Sequence, residues 1–224
     1  DGSDAVRPAS LRGLSPDHTL VLVNGKRRHG SALVHLNGTM GRGSSNVDLN
    51  AIPVAAIKRI EILRDGAAAQ YGSDAIAGVI NIVLKDQQSG GSLNASTGQT
   101  FKGDGDYYKT SLNAALALGQ DGFLNLTLEH QDKNSTNRAG FDPREQYNKI
   151  NGQPDPREAG FNRLNHQVGD AAYQHTAVFF NAGVQQADTE WYSFGGFSSR
   201  DSQSSAFFRL PKDARNIAQI YPDG

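Results

Sequence analysis

The sequence predicts an α+β unit at the N-terminus followed by antiparallel β-strands of an incomplete transmembrane β-barrel. Three observations predict it. The stretch Ile57–Lys85, IKRIEILRDGAAAQYGSDAIAGVINIVLK, reads as a strand, a short helical turn and a second strand. After Lys85 the texture changes to long segments that alternate apolar and polar residues with no helical period. The connections between those segments are short at one end and long at the other, the pattern of membrane barrels.

The N-terminal elements follow from local chemistry. Residues 1–17 are polar and rich in turn formers, and His18–Asn24, HTLVLVN, is a strand. Asn24-Gly25 is a strong turn signal, because both residues tolerate positive φ. A glycine-rich loop then covers Arg27–Val47, and Asp48–Pro53 forms a turn. Ile60 and Ile62 alternate with Arg59 and Glu61 on a short strand that Asp65-Gly66 ends. Ala67-Ala68-Ala69-Gln70 coils because alanine loses little entropy in a helix. Gly72 and Gly78 bracket a turn, and Val79–Leu84 has the β-branched run of a buried strand.

In the C-terminal part, Tyr107–Leu118 places Tyr108, Leu112, Ala114, Leu116 and Leu118 on one face and Lys109, Ser111 and Asn113 on the other. Phe123–His130 repeats the rule, with Leu124, Leu126 and Leu128 opposite Asn125, Thr127 and Glu129. Leu93–Phe101 is a weaker strand before them. Ala172–Gln186 and Glu190–Arg200 complete the set, the latter with Trp191 and Tyr192 suited to a membrane interface. Gly119–Gly122 and Ala187–Thr189 are tight turns, whereas 131–170 is a long polar connection.

The spacing of Ile60-Glu61-Ile62-Leu63, Tyr71-Gly72, Ala75 and Gly78-Val79-Ile80-Asn81-Ile82 resembles the end of the plug domain of TonB-dependent outer-membrane receptors. Leu20–Lys26 is similar to a strand and turn of the same family, and Leu11-Arg12-Gly13-Leu14 to its short "RG" strand. Asp65-Gly66 stands where the family usually has Gly-Pro. The resemblance covers Leu11–Leu84, while the barrel half matches only in pattern. It implies a plug domain over 1–86, truncated at its N-terminus, a linker over 87–91, and the first strands and extracellular loops of a barrel over 92–224. About five strands are readable where plugged transporters close with roughly 22, so the expectation is an internal fragment that lacks the family's TonB box.

Composition narrows the function classes. The 224 residues carry 22 Lys plus Arg against 23 Asp plus Glu, so no basic bias points to nucleic acid. There is no cysteine, which rules out disulfides and thiolate metal sites. No apolar run reaches the roughly 20 residues of a membrane helix. Gly41-Arg42-Gly43 lacks the preceding strand and third glycine of a dinucleotide loop. His29 and His35 lie in a loop with no carboxylate nearby, and no metal site is expected there. Asp142, Glu145, Asp155 and Glu158 lack the spacing of a calcium loop and read as a solvated connection. No nucleophile–base constellation has local context, so neither an enzyme nor a cofactor is expected.

The basic residues Arg27, Arg28, His29 and Arg42 are the candidate ligand-binding set, since guanidinium groups pair with carboxylate or phosphate. The resemblance places their loop, and the Asn24-Gly25 tip before it, toward the extracellular ligand. It implies uptake of a scarce nutrient (siderophore, cobalamin or oligosaccharide) across the bacterial outer membrane. The implied partners are TonB with its inner-membrane energising complex, the small-molecule or oligosaccharide substrate, and outer-membrane lipid. A secreted or periplasmic β-rich binding module is the competing reading.

Overall fold

The structure, a computed structural model, describes residues 6–36, 41–64, 67–205 and 208–216. Two sheets organise these residues. The first contains β1 (Thr19–Val23), β2 (Lys26–Arg27), β3 (Ile57–Leu63) and β4 (Gly78–Leu84) in the order β2-β1-β4-β3. β1 and β4 run parallel, with Leu20 beside Val79 and Val21 beside Ile80, and β3 is antiparallel to β4. Every residue of β1 is buried, as expected of a central strand covered on both faces. Val21, Val23, Ile80, Ile82 and Leu84 pack one face against Ile52 and Ala56. Leu20, Leu22 and Val79 pack the other against Ala75 and Tyr71, which the short helix α1 (Ala67–Tyr71) and the following 3-10 turn supply.

Two backbone positions explain the turns. Asn24 (φ 47°) and Gly25 (φ 73°) form the tight β1–β2 hairpin, and Gly25 N donates to Asn81 Oδ1 at 2.9 Å. Gly78 (φ 139°) opens β4 so close to β3 that a Cβ there would lie 2.4 Å from Leu63 O. The expected strand at Leu11–Leu14 is instead a turn: Arg12 and Gly13 have φ of 59° and 70°, and Leu14 N donates to Leu11 O. The Gly that suggested the family's strand here supplies positive φ.

The second sheet is an antiparallel meander of β5 (Gly90–Gly98), β6 (Tyr107–Leu118), β7 (Gly122–Lys133), β8 (Ala172–Gln186) and β9 (Thr189–Gln203). It shares no strand with the first sheet and is not closed. β5 starts within the expected linker and stops before Phe101; Gly90 and Gly91 already pair with Ala115 and Ala114. β7 and β9 run three residues beyond their expected ends, to Lys133 and Gln203. Within 134–171 the chain adds the single turn α2 (Arg157–Gly160).

The polarity of this sheet is inverted relative to a soluble protein. Ser111, Asn113, Asn125, Thr127, Glu129, His175 and Asn181 are buried against the N-terminal unit. Leu112, Leu116, Leu126, Leu128, Val178 and Phe197 point the other way and are exposed. Neighbours in sequence mark the contrast: Thr127 is 2% exposed and Leu128 49%. Phe179 of β8, 2% exposed, belongs to the core of the first sheet, and Phe194 of β9 packs on it.

Candidate functional site

The chain leaves β2 into the loop that the sequence singled out. Ser31 N donates to Asn46 O at 2.8 Å, His35 N to Ser44 O at 3.0 Å and Gly43 N to His35 O at 2.7 Å, so 31–35 returns along 43–46. Asp48 ends the loop, its Oδ1 accepting from Asn50 N and Arg7 N at 2.9 Å each. Gly41 lies against the Pro16 ring, beside the start of β1.

The Asn24–Gly25 tip lies at the opposite end of β1 from this loop, contrary to the expectation that both face the long connections. Asn24 Nδ2 donates to Asn181 Oδ1 at 3.2 Å, and Leu84 N donates to Asn24 Oδ1 at 2.9 Å. The exit from β4 is held nearby: Asn181 Nδ2 reaches Lys85 O, Asn125 Nδ2 reaches Gln87 O, and Gln88 Nε2 reaches Gln120 O in the β6–β7 turn. Lys26 Nζ stacks 5.4 Å from the Tyr192 ring centre, close to the β8–β9 turn. The tip therefore belongs to the short-turn end of the wall. It sits there because β1 runs parallel to β4, whose C-terminus enters the wall at that end.

The four candidate residues have different surroundings. Arg27 forms an ion pair with Asp74, and its Nη2 donates to Tyr71 O at 3.2 Å. Arg28 is half-buried; burial holds its guanidinium below the ordinary arginine pKa, with Asp48 pulling it back up. Its Nε is buried without a hydrogen-bond partner. His29 and Arg42 are exposed, whereas His35 is buried with neither ring nitrogen bonded. Among the described residues, no three His, Cys, Asp or Glu side chains gather as metal ligands.

The connection at 134–171, expected to be solvated, is instead tightly bonded. Asp142 Oδ1 accepts from Arg144 N and Nε at 3.0 and 2.7 Å, and its Oδ2 from Arg144 Nη2 at 2.7 Å. Asp155 and Arg157 repeat the same clamp. Glu158 accepts from Gln146 N and Tyr147 N at 2.6 and 2.8 Å and pairs with Arg163. The Arg144 bonds hold the Asp142 carboxyl well below the usual carboxylate range; Arg157 lowers Asp155 likewise, and Glu158 is lowered first by the Tyr147 N–H. Asp104 of the β5–β6 loop accepts from Arg138 at 2.6 and 3.0 Å, tying the two loops together. The readable signal was Asp-Pro-Arg, present at both 142–144 and 155–157. Proline removes one N–H and lets the aspartate cap the next.

A mixed sheet whose core takes Phe179 and Phe194 from the inward face of an open, inverted β-wall has the arrangement of a plug against part of a barrel wall. Comparison with known proteins points the same way. Residues 1–79 match the TonB-dependent receptor plug domain. The chain is 38% identical over 120 residues to the vitamin B12 transporter BtuB of Vibrio cholerae, covering 53% of this chain and 17% of that protein. It is 40% identical over 95 residues to the probable TonB-dependent siderophore receptor PirA of Acinetobacter baumannii, covering 42% and 12%. The ferric enterobactin receptor PfeA of Pseudomonas aeruginosa superimposes with a TM-score of 0.62 at 23% identity, over 85% of this chain and 26% of that one. Residues 1–79 thus match a TonB-dependent receptor plug domain, the strands after them resemble the start of such a receptor's barrel, and the chain spans less than a fifth of the length of the BtuB and PirA relatives.

Proposed function

We propose that this chain works in an outer-membrane receptor that takes up a scarce nutrient, driven through TonB by an inner-membrane complex. The inverted polarity of the C-terminal sheet carries the reading. Leucine, valine and phenylalanine face outward where hydrocarbon lowers their free energy, while asparagine, threonine and glutamate face the plug. A secreted binding module would bury the opposite face. Cargo binds on the plug and the loops at the long-connection end, with Arg27, Arg28, His29 and Arg42 as the substrate-facing residues. His29 and Arg42 are exposed for contact, and Arg27 is fixed by Asp74. Transport breaks no bond in the cargo, so no catalytic group is required.

The relatives named for vitamin B12 and siderophores support nutrient uptake as the general activity. The test is fractionation of the full-length receptor with outer membranes, together with nutrient accumulation in cells with and without TonB. Recovery in the soluble fraction, or accumulation that ignores loss of TonB, contradicts the reading.

A further inference from the structure

The sequence contains three Asn-Gly pairs, at 24–25, 37–38 and 151–152. The second lies outside the described residues. The other two form the same turn: Asn24 and Gly25 have φ of 47° and 73°, and Asn151 and Gly152 of 50° and 78°. Both are two-residue hairpin tips with positive φ at each position. They differ in what holds them. Gly25 N donates to Asn81 Oδ1 at 2.9 Å. The Asn24 amide is bonded at both atoms, Nδ2 donating to Asn181 Oδ1 and Oδ1 accepting from Leu84 N.

The tip at 151–152 has no such partners. Asn151 and Gly152 are exposed, and neither the Asn151 amide nor Gly152 N bonds to any of the described residues. A single bridge closes this hairpin, with Ile150 N donating to Gln153 O at 2.9 Å and Gln153 N to Ile150 O at 3.0 Å. Ile150 is itself 53% exposed, and a Cβ added at Gly152 would meet nothing within 4 Å. Segments with so few buried contacts open locally at low free-energy cost. Opening frees ψ of Asn151, the rotation that carries Gly152 N toward Asn151 Cγ.

We propose that Asn151 is a modification site, where spontaneous deamidation converts the exposed amide to a carboxylate, while the same pair at 24–25 is protected by its partners. Gly152 N attacks Asn151 Cγ, forming an N–Cγ bond and a cyclic imide. The Cγ–Nδ2 bond breaks with its electron pair on Nδ2, which takes up the proton lost from Gly152 N and leaves as ammonia. Water then opens the ring. Addition at Cγ restores the chain and gives aspartate; addition at the main-chain carbonyl gives isoaspartate, with the chain rerouted through Cγ and lengthened by one methylene. Either product puts a negative charge two residues from Lys149. The chemistry stands apart from the uptake reading; only the placing of that charge among cargo-facing loops rests on it.

The test is to age the full-length receptor in detergent at pH 8, folded and in urea, and to follow its tryptic peptides by mass spectrometry. Trypsin releases 13–26 and 150–157, each holding a single asparagine, so the two tips are read separately. In the folded receptor the 150–157 peptide should gain the mass of an amide-to-acid exchange, split between aspartate and isoaspartate forms. Asn24 should convert at least about tenfold more slowly, since three hydrogen bonds must break before its ring can close. In urea the two rates should converge. Asn151→Gln, whose longer side chain closes a less favourable ring, should leave the peptide unshifted. Equal rates in the folded receptor, a difference that persists in urea, or a shift that survives Asn151→Gln and so belongs to Gln153 would each overturn the proposal. Nutrient accumulation measured on the same preparations tests the uptake reading independently of all three.

Discussion

Truncating Phe179 to alanine tests whether wall and plug share one interior. The ring belongs to β8 yet is 2% exposed within the cluster of Val21, Val23, Ile80 and Ile82. Gly196 on β9 leaves it room; a Cβ there would approach the ring to 2.4 Å. A phenylalanine buries about 150–250 Å², which at roughly 25 cal/mol per Å² is about 4–6 kcal/mol. Alanine retains the Cβ, and measured Phe→Ala losses in cores are about 3–5 kcal/mol. Val178, one residue away, is 44% exposed on the outer face and serves as the control. If thermolysin cuts the plug from a rapidly reclosing open form, its rate follows the open population. Phe179→Ala should then speed cutting of the detergent-solubilised receptor at least about a hundredfold, at tenfold per 1.4 kcal/mol. Val178→Ala should change it by less than about threefold. Equal rates for the two variants would refute the shared interior.

Gly78→Val should abolish recovery of folded receptor, because its Cβ meets Leu63 O and φ of 139° is unfavourable for valine; Gly30→Val, with ordinary φ and a 3.0 Å contact to Ser45 O, should lower the melting temperature only modestly. Asn24→Leu leaves Leu84 N without its acceptor and Asn181 Oδ1 without its donor, so urea titration should show a loss of about 1–3 kcal/mol, and an unchanged midpoint would rule out the role given to Asn24. Acidification should loosen 134–171. The carboxylates of Asp142, Asp155 and Glu158 are lowered in the folded loop relative to unfolded values of about 3.9 and 4.3, so the unfolded loop binds protons first. Ordering is therefore complete above about pH 5 and declines as pH falls through the folded values. A spin label at Gln153→Cys should sharpen in that window, and a linewidth constant to pH 2 would count against it.

The strands were legible where alternation was strong. Tyr107–Leu118 and Ala172–Gln186 have the boundaries their patterns predict, since period-two leucine, valine and phenylalanine specify both extent and face. Gly90-Gly91-Ser92 carries no such pattern, so the start of β5 is visible only through its pairing with β6. The turn at Arg12-Gly13 has the same composition as the family's strand, and only φ separates them. Around the candidate site, the basic residues were readable but their partners were not. Asp74 lies 47 positions from Arg27, and only the placement of β2 and the Ser73–Ala75 turn brings them together. The loop over 134–171 reads as solvated when charges are counted; its order comes from carboxylates clamped by arginines two residues on.

The insertion of Phe179 and Phe194 into the plug also bears on how such receptors are recombined. A plug transplanted into a different barrel would inherit a new wall and lose two aromatic rings that complete its own interior. Compatibility between the halves is thus set by inward-facing residues at these positions on the fourth and fifth strands of the second sheet. For chimaeras intended to redirect uptake, β8 and β9 should travel with the plug, leaving the join to be made further along the wall.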